Sequence, residues 1–304
     1  MLSSRETTLT TQANSQVDDE LFRFEAEIRD PKRLIPMLRS INIMRTTVMA
    51  ITSKGLKLTC QDSGRCLQAN SFIDRTLFDR YSMSNETIPV SVCFRLTDLL
   101  HVLTLMCGSV PVAIASDVHM VGGGDDVLRL KYSSDVERIR LEFREETAHK
   151  KAYIRTYEVE ELMIFHMNCI NKVILNAEPI VDFWKSCDLS SDHIEVGITA
   201  DEPYLRWSTD SERARVHYNI NKDSPDVEQF MHSEDVTNRY KMSLMKFTLK
   251  ALINSSKLSI RTDADGLLSL QFMIRLKDDR DQPVEHCFVE YFIVPEVNVH
   301  LYQS

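Results

Sequence analysis

Apolar and polar positions alternate with a period of two over most of the chain, the spacing of strands with one buried face. Phe22 to Ile28, Thr47 to Thr52, Gly55 to Cys60, Pro89 to Arg95, Leu128 to Tyr132 and Arg138 to Arg144 read this way. So do His193 to Thr199, Tyr204 to Ser208, Arg215 to Ile220, Tyr240 to Leu244, Lys257 to Arg261, Leu267 to Arg275 and Cys287 to Val294. Four segments carry apolar residues at helical spacing instead. Asp30 to Asn42 opens with Asp-Pro at the cap and first-turn positions and places Leu34, Ile35, Leu38 and Ile41 on one stripe, with Pro36 awkwardly inside it. Thr97 to Cys107 ends at Gly108, a usual helix stop. Asn171 to Cys187, interrupted by Pro179, and Met245 to Ser255 occupy the matching places later in the chain.

The same order of elements occurs twice. GLKLTCQD (Gly55 to Asp62) is answered by IEVGITAD (Ile194 to Asp201), and VCFRLTDLLHVL (Val92 to Leu103) by YKMSLMKFTLKAL (Tyr240 to Leu252). A period of roughly 140 residues is far too long for a solenoid and predicts two similar α+β domains in tandem. The expected division is a disordered leader over 1–20, a first domain over 21–145, a linker over 146–157, a second domain over 158–297 and a tail over 298–304.

Composition changes this picture little. At 304 residues with 43% apolar and 27% charged content, the chain reads as a soluble globular protein. The segment from Met1 to about Glu20 is rich in Ser, Thr, Gln and Asn and lacks the apolar core of a signal peptide, so nothing routes the chain to secretion. Seven scattered cysteines with no CxxC predict reduced thiols in the cytosol or nucleus. Charge changes it more: the formal net charge of -9 is the wrong sign for binding nucleic acid in bulk, so any such contact needs a locally basic surface.

Particular strings then become recognisable. CLQANSFID (Cys66 to Asp74), PYLRWST (Pro203 to Thr209), NRYKMSL (Asn238 to Leu244), KLSIRTDADGLLSLQFMIR (Lys257 to Arg275) and FVEYFIVPE (Phe288 to Glu296) resemble the Rad-one subunits of checkpoint clamps. Those subunits belong to the heterotrimeric nine-one-one complex, similar in fold to proliferating-cell nuclear antigen (PCNA), and the resemblance extends from about Leu21 to Pro295. It implies an α+β chain of two tandem PCNA-like domains, with outer antiparallel sheets and two lining helices per domain. It further implies two paralogous clamp subunits in a heterotrimeric ring around double-stranded DNA, an ATP-dependent clamp loader, checkpoint and repair partners, and a nuclear location. No cofactor, metal or membrane contact is implied. The sequence departs from the family in its longer leader, an expanded hairpin around Val118 to Asp126, and Pro36.

Within that frame, lining helices should present the cations. Lys246 and Lys250 lie four apart, and Lys257 shares their face if the helix continues; Lys32, Arg33 and Arg39 on the first helix and Lys172 and Lys185 on the third are further candidates. The alternative is ordinary solvated lysines on amphipathic helices. Ring closure by strand addition points to Arg138, Ile139, Arg140, Leu141 and Phe143 in the first domain. Arg215, Val216, His217, Tyr218 and Ile220 are their counterparts in the second; charge-blunted edges are the alternative. A partner-peptide pocket beneath the linker would use Ile43, Met44, Ile154, Met273, Val294 and Pro295, each of which also suits an ordinary core or strand position.

Catalytic signals are thin. Gly122 to Gly124 lacks the Gly-Lys-Ser/Thr ending of a phosphate loop. The acidic pairs Asp135/Glu137, Asp263/Asp265 and Asp278/Asp279 allow a metal-dependent 3'-to-5' DNA exonuclease as a second reading, although Asp265-Gly266 is also a hairpin signal.

Overall fold

The structure is a computed structural model that describes residues 22–107, 127–133, 137–144, 148–159, 161–276 and 287–296. Its first half runs β1 (Phe24–Ile28), α1 (Leu34–Ser40), β2 (Thr46–Thr52), β3 (Gly55–Gln61), β4 (Leu67–Asp74), β5 (Arg80–Met83) and β6 (Val90–Arg95). Then come α2 (Leu96–Met106), β7 (Val127–Ser133), β8 (Arg138–Arg144) and β9 (His149–Tyr157). The second half runs β10 (Asn171–Asn176), α3 (Glu178–Ser186), β11 (His193–Ile198), β12 (Leu205–Asp210), β13 (Arg215–Ile220), β14 (Val227–Met231) and β15 (Val236–Lys241). It closes with α4 (Met242–Met245), a 3-10 turn over Lys246–Thr248, α5 (Leu249–Leu252), β16 (Ser255–Thr262), β17 (Leu268–Ile274) and β18 (Phe288–Ile293). Both halves thus read strand, helix, five strands, helical segment, three strands.

All pairings are antiparallel. A 14-stranded sheet has the order β14-β10-β16-β17-β18-β4-β3-β2-β6-β9-β8-β7-β1-β5, and a 4-stranded sheet the order β13-β12-β11-β15. The halves join where β18 pairs with β4, from Phe288 opposite Phe72 to Ile293 opposite Leu67. Strand alternation puts Leu56, Leu58, Leu268, Leu270, Phe272 and Tyr291 into the core, against the buried stripes of the helices. Pro36 is accommodated because it is the third residue of α1, in the turn whose amides have no intrahelical acceptor.

Several elements differ from the sequence reading. Asn171 to Cys187 is not one helix: Asn171–Asn176 is strand β10, with alternating burial, and the helix begins only at Glu178. Pro179 starts that helix instead of interrupting it, since a first-turn residue needs no amide hydrogen. The strand placed at Tyr240 to Leu244 is shifted to Val236–Lys241, and the last helical segment starts at Met242 and stops at Leu252. His149–Tyr157, placed in the linker, is strand β9, paired with β8 from His149 to Arg155; residues 158–159 and 161–170, between the halves, form no helix or strand. Strands β4, β5 and β14 were not among the expected strands either.

Candidate functional site

Helices α1 and α5 lie side by side, although they come from opposite halves. Ser40 Oγ donates to the carbonyl of Pro36 at 2.8 Å, within its own helix, and to that of Lys250 at 3.3 Å, across the pair. The buried phenol of Tyr291 donates to Ser40 O at 2.6 Å and reaches Phe247 O at 3.3 Å. Met242, Met245, Thr248, Ala251 and Leu252 turn into the core, so the helical period leaves Lys246 and Lys250 exposed. The Lys250 ammonium donates to Asn42 O at 3.1 Å, and that of Lys246 to Leu189 O at 3.1 Å. Lys32 and Arg39 on the first helical segment are exposed without an ion-pair partner among the described residues; Arg33 is half-buried and pairs with Asp30 at 3.4 Å. Lys241, just before α4, is a further exposed cation that the sequence reading missed, because the element was placed too late in the chain.

The other two helices are not cationic. α2 exposes Thr97, Asp98, His101 and Leu105, whereas α3 exposes Glu178 and Asp182 beside Lys185. The Asp182 carboxylate accepts a hydrogen bond from Lys185 at 2.9 Å and raises that ammonium's pKa, so this cation has an acid beside it. Two candidates leave the helical surface altogether. Lys172 sits on strand β10, between Met231 and Arg261, because the residues around it are sheet and not helix. Lys257 sits on β16, its Nζ 2.6 Å from Glu228, because the helix ends five residues earlier at Leu252.

The two expected edges fare differently. β13 is the terminal strand of its sheet; Arg215 and His217 are exposed, Val216 and Tyr218 half-buried, and Ile220 belongs to the core. Arg215 pairs with Asp210, whose carboxyl is held below its usual range by that hydrogen bond. β8, by contrast, is no edge: β7 and β9 flank it, so its backbone is paired on both sides. Ile139, Leu141 and Phe143 are core residues there, and Arg140 pairs with Glu142. The free edge nearby belongs to β9, which meets β6 only through Thr156 and Tyr157. Its signal in the sequence is the alternation of Lys151, Tyr153 and Arg155 with Ala152, Ile154 and Thr156.

A cleft of about 270 Å³ opens between β2, β3 and the 161–170 stretch, lined among others by Met44, Val48, Gln61, Arg65, Cys93 and Leu162. Gln61 holds that stretch in place, accepting from Met163 N at 3.1 Å and donating to Met163 O at 3.4 Å. Of the six expected pocket residues, Met44 lines the cleft and Ile43 adjoins it, packed on the core. Val294 donates its amide to Cys66 O at 2.9 Å, beside the loop that forms one wall, with Pro295 next to it. Ile154 and Met273 do not converge there. Ile154 is buried opposite Ile139 in the sheet, and Met273 pairs with Phe288 at the far end of β17 from the strand end near Ile293.

Asp263 is committed to a turn: its carboxylate accepts from Leu267 N at 2.8 Å and its carbonyl from Gly266 N at 3.1 Å. Asp135, Asp278, Asp279 and the stretch from Val118 to Asp126 lie outside the described residues. All seven cysteines are free thiols, and burial pushes those of Cys60 and Cys287 up to about 12 and about 11.

Comparison with known proteins gives these surfaces a context. The family model described as Repair protein Rad1/Rec1/Rad17 matches residues 23–274. The chain is 32% identical over 287 residues to the cell cycle checkpoint protein RAD1 of Homo sapiens, covering 93% of this chain and 95% of that one. It is 32% identical over 294 residues to the mouse protein of the same name, covering 96% and 98%. To the DNA damage checkpoint control protein rad1 of Schizosaccharomyces pombe it is 23% identical over 287 residues, covering 90% and 88%. Among solved structures, PCNA from Thermococcus kodakaraensis superposes with a TM-score of 0.68 at 17% identity, covering 90% of this chain and 100% of that one. The likeness to PCNA is one of fold, and the fold is that of two tandem clamp domains with few helices and antiparallel sheets.

Proposed function

Since the chain belongs to the Rad1/Rec1/Rad17 family of repair proteins, we propose that it is a non-enzymatic subunit of a heterotrimeric DNA sliding clamp acting in the damage checkpoint. In this reading it joins two paralogous subunits, is placed on duplex DNA by an ATP-dependent loader, and scaffolds checkpoint and repair proteins in the nucleus. The observation that carries it is the pairing of α1 with α5 across the two halves. That pairing sets the helical segments that carry Lys32 and Arg39 beside those that carry Lys246 and Lys250, in a chain whose net charge is -9. Cations held on rigid helices contact phosphates without reading bases, which suits a ring that must slide. Ring closure by strand addition has β9 and β13 among the open strands, and the cleft beneath 161–170 offers Met44 and its neighbours to a partner peptide. The exonuclease reading gains nothing from Asp263, whose Oδ1 and carbonyl oxygen hold a turn.

Changing Lys246 and Lys250 together to Ala tests the reading on the loaded ring. Retention on closed circular DNA should fall several-fold, and the slope of log K against log salt should become shallower by about 2, one contact per lysine. Assembly with the partner subunits should be unaffected. Unchanged retention and an unchanged slope would remove these lysines from the DNA surface.

A further inference from the structure

Strand alternation turns Val289, Tyr291 and Ile293 of β18 into the core, and of these three only Tyr291 carries a polar side-chain atom. Its register places it between Leu270 on β17 and the small Ala69 on β4. Phe272 meets its ring edge-on, with centroids 5.8 Å apart at 84°. The phenol stands away from the sheet, and its hydroxyl arrives between α1 and the last helical segment.

A buried hydroxyl needs an acceptor, and this one lies within reach of two. Ser40 O, at 2.6 Å, is the last carbonyl of α1, beyond the reach of any amide of that helix. Phe247 O, at 3.3 Å, lies in the 3-10 turn Lys246–Thr248 that interrupts the run from α4 to α5. The exposed cations Arg39 and Lys246 immediately precede Ser40 and Phe247 in the chain. One phenol therefore grips the backbone next to a cation in each half of the molecule. The other ties between the segments are weaker. The bond from Ser40 Oγ to Lys250 O is long at 3.3 Å, and that from Lys250 Nζ to Asn42 O, at 3.1 Å, is exposed, where water competes for both groups.

We propose that Tyr291 is a positioning residue for DNA: its hydroxyl locks the end of α1 against the 3-10 turn and so holds Arg39 and Lys246 in one rigid frame for the phosphates. Cations fixed before the duplex arrives lose less freedom on binding it, so the frame lengthens retention without adding a contact of its own. The inference deepens the DNA-holding reading above and rests on it.

The test uses the ring assembled with its two partner subunits and loaded on closed circular DNA. It compares wild type, Y291F, Y240F and S40A, and R39A/K246A with and without Y291F. Y240F is the matched control, because the buried Tyr240 phenol donates to Gly266 O at 2.7 Å, a bond of the same kind made to a turn and not to a helical segment. Both phenylalanine variants should lower the melting temperature by similar amounts. Y291F alone should shorten retention about three- to tenfold, the effect of having to order one or two long side chains on binding. It should also make the slope of log K against log salt shallower by about 1. S40A loosens the same junction without touching β18 and should move both quantities the same way by less. In R39A/K246A, adding Y291F should change neither. Retention and slope in Y291F and S40A equal to those of Y240F would overturn the inference while leaving the DNA surface in place. An equal loss from Y291F with and without R39A/K246A would also overturn it, since the phenol would then act through something other than these cations. If R39A/K246A itself holds DNA as wild type does, the reading of the helix pair as a DNA surface falls and takes the inference with it.

Discussion

The phenol of Tyr291 is fully buried on β18 and donates to a carbonyl at the end of α1, so a strand of one half fixes a helix of the other. Burial pushes its pKa far up, which keeps it a neutral donor throughout the working range. Asp188, after α3, shows the opposite case. Its carboxylate accepts the amide of Ser190 at 2.9 Å and the hydroxyl of Ser211 at 2.7 Å, and these bonds lower its pKa from 3.8 to about 2. Because the unfolded chain holds this proton more tightly than the folded one, the stabilisation is present above 3.8 and is lost as pH falls toward 2. Urea midpoints followed between about pH 4 and pH 2 should therefore fall less steeply for Asp188→Asn than for wild type. Single residues were legible to different depths. That Lys246 and Lys250 are exposed together was legible from their spacing, because four residues of helix return a side chain to the same face. Lys257 was misplaced with them, since nothing local marks Leu252 as the last helical residue.

Element type was legible where one periodicity dominated and illegible where two were compatible with the same letters. NKVILN satisfies a buried helix as well as a buried strand; β10 is decided by β14 and β16 on either side of it. HKKAYIRTY was read for its polarity as a linker, yet it alternates, and polar residues on one face are what a strand at an exposed edge requires. The turn between β16 and β17 was read correctly from Asp265-Gly266. Gly266 has φ +81°, and a Cβ there would lie 2.4 Å from the Asn238 amide nitrogen on the neighbouring strand β15. Gly266→Ala should therefore cost about 1–3 kcal/mol of unfolding free energy, measured by urea denaturation, through backbone strain and displacement of Asn238. A cost within error would mean that the turn adjusts freely.

Across the whole molecule, the β18–β4 pairing makes one sheet of strands from both halves, and Tyr291 and Lys250 add side-chain ties between them. The halves should consequently unfold together. Both tryptophans, Trp184 and Trp207, lie in the second half, so their emission reports that half alone while far-UV circular dichroism reports both. Coincident urea transitions by the two probes are expected; a separation would show that the halves unfold independently. The sequence by itself determined the duplicated order of elements and the family strings, because strand alternation, helical spacing and turn residues are local properties of the chain. It also determined that an acidic chain needs a gathered patch of cations to hold DNA. Only the tertiary structure decided which strands are edges, that α1 meets α5, and that Ile154 and Met273 stand apart from the cleft at Met44. Edges and neighbours depend on pairings between residues distant in sequence, such as Phe72 with Phe288, and no local pattern encodes which strand will lie beside another.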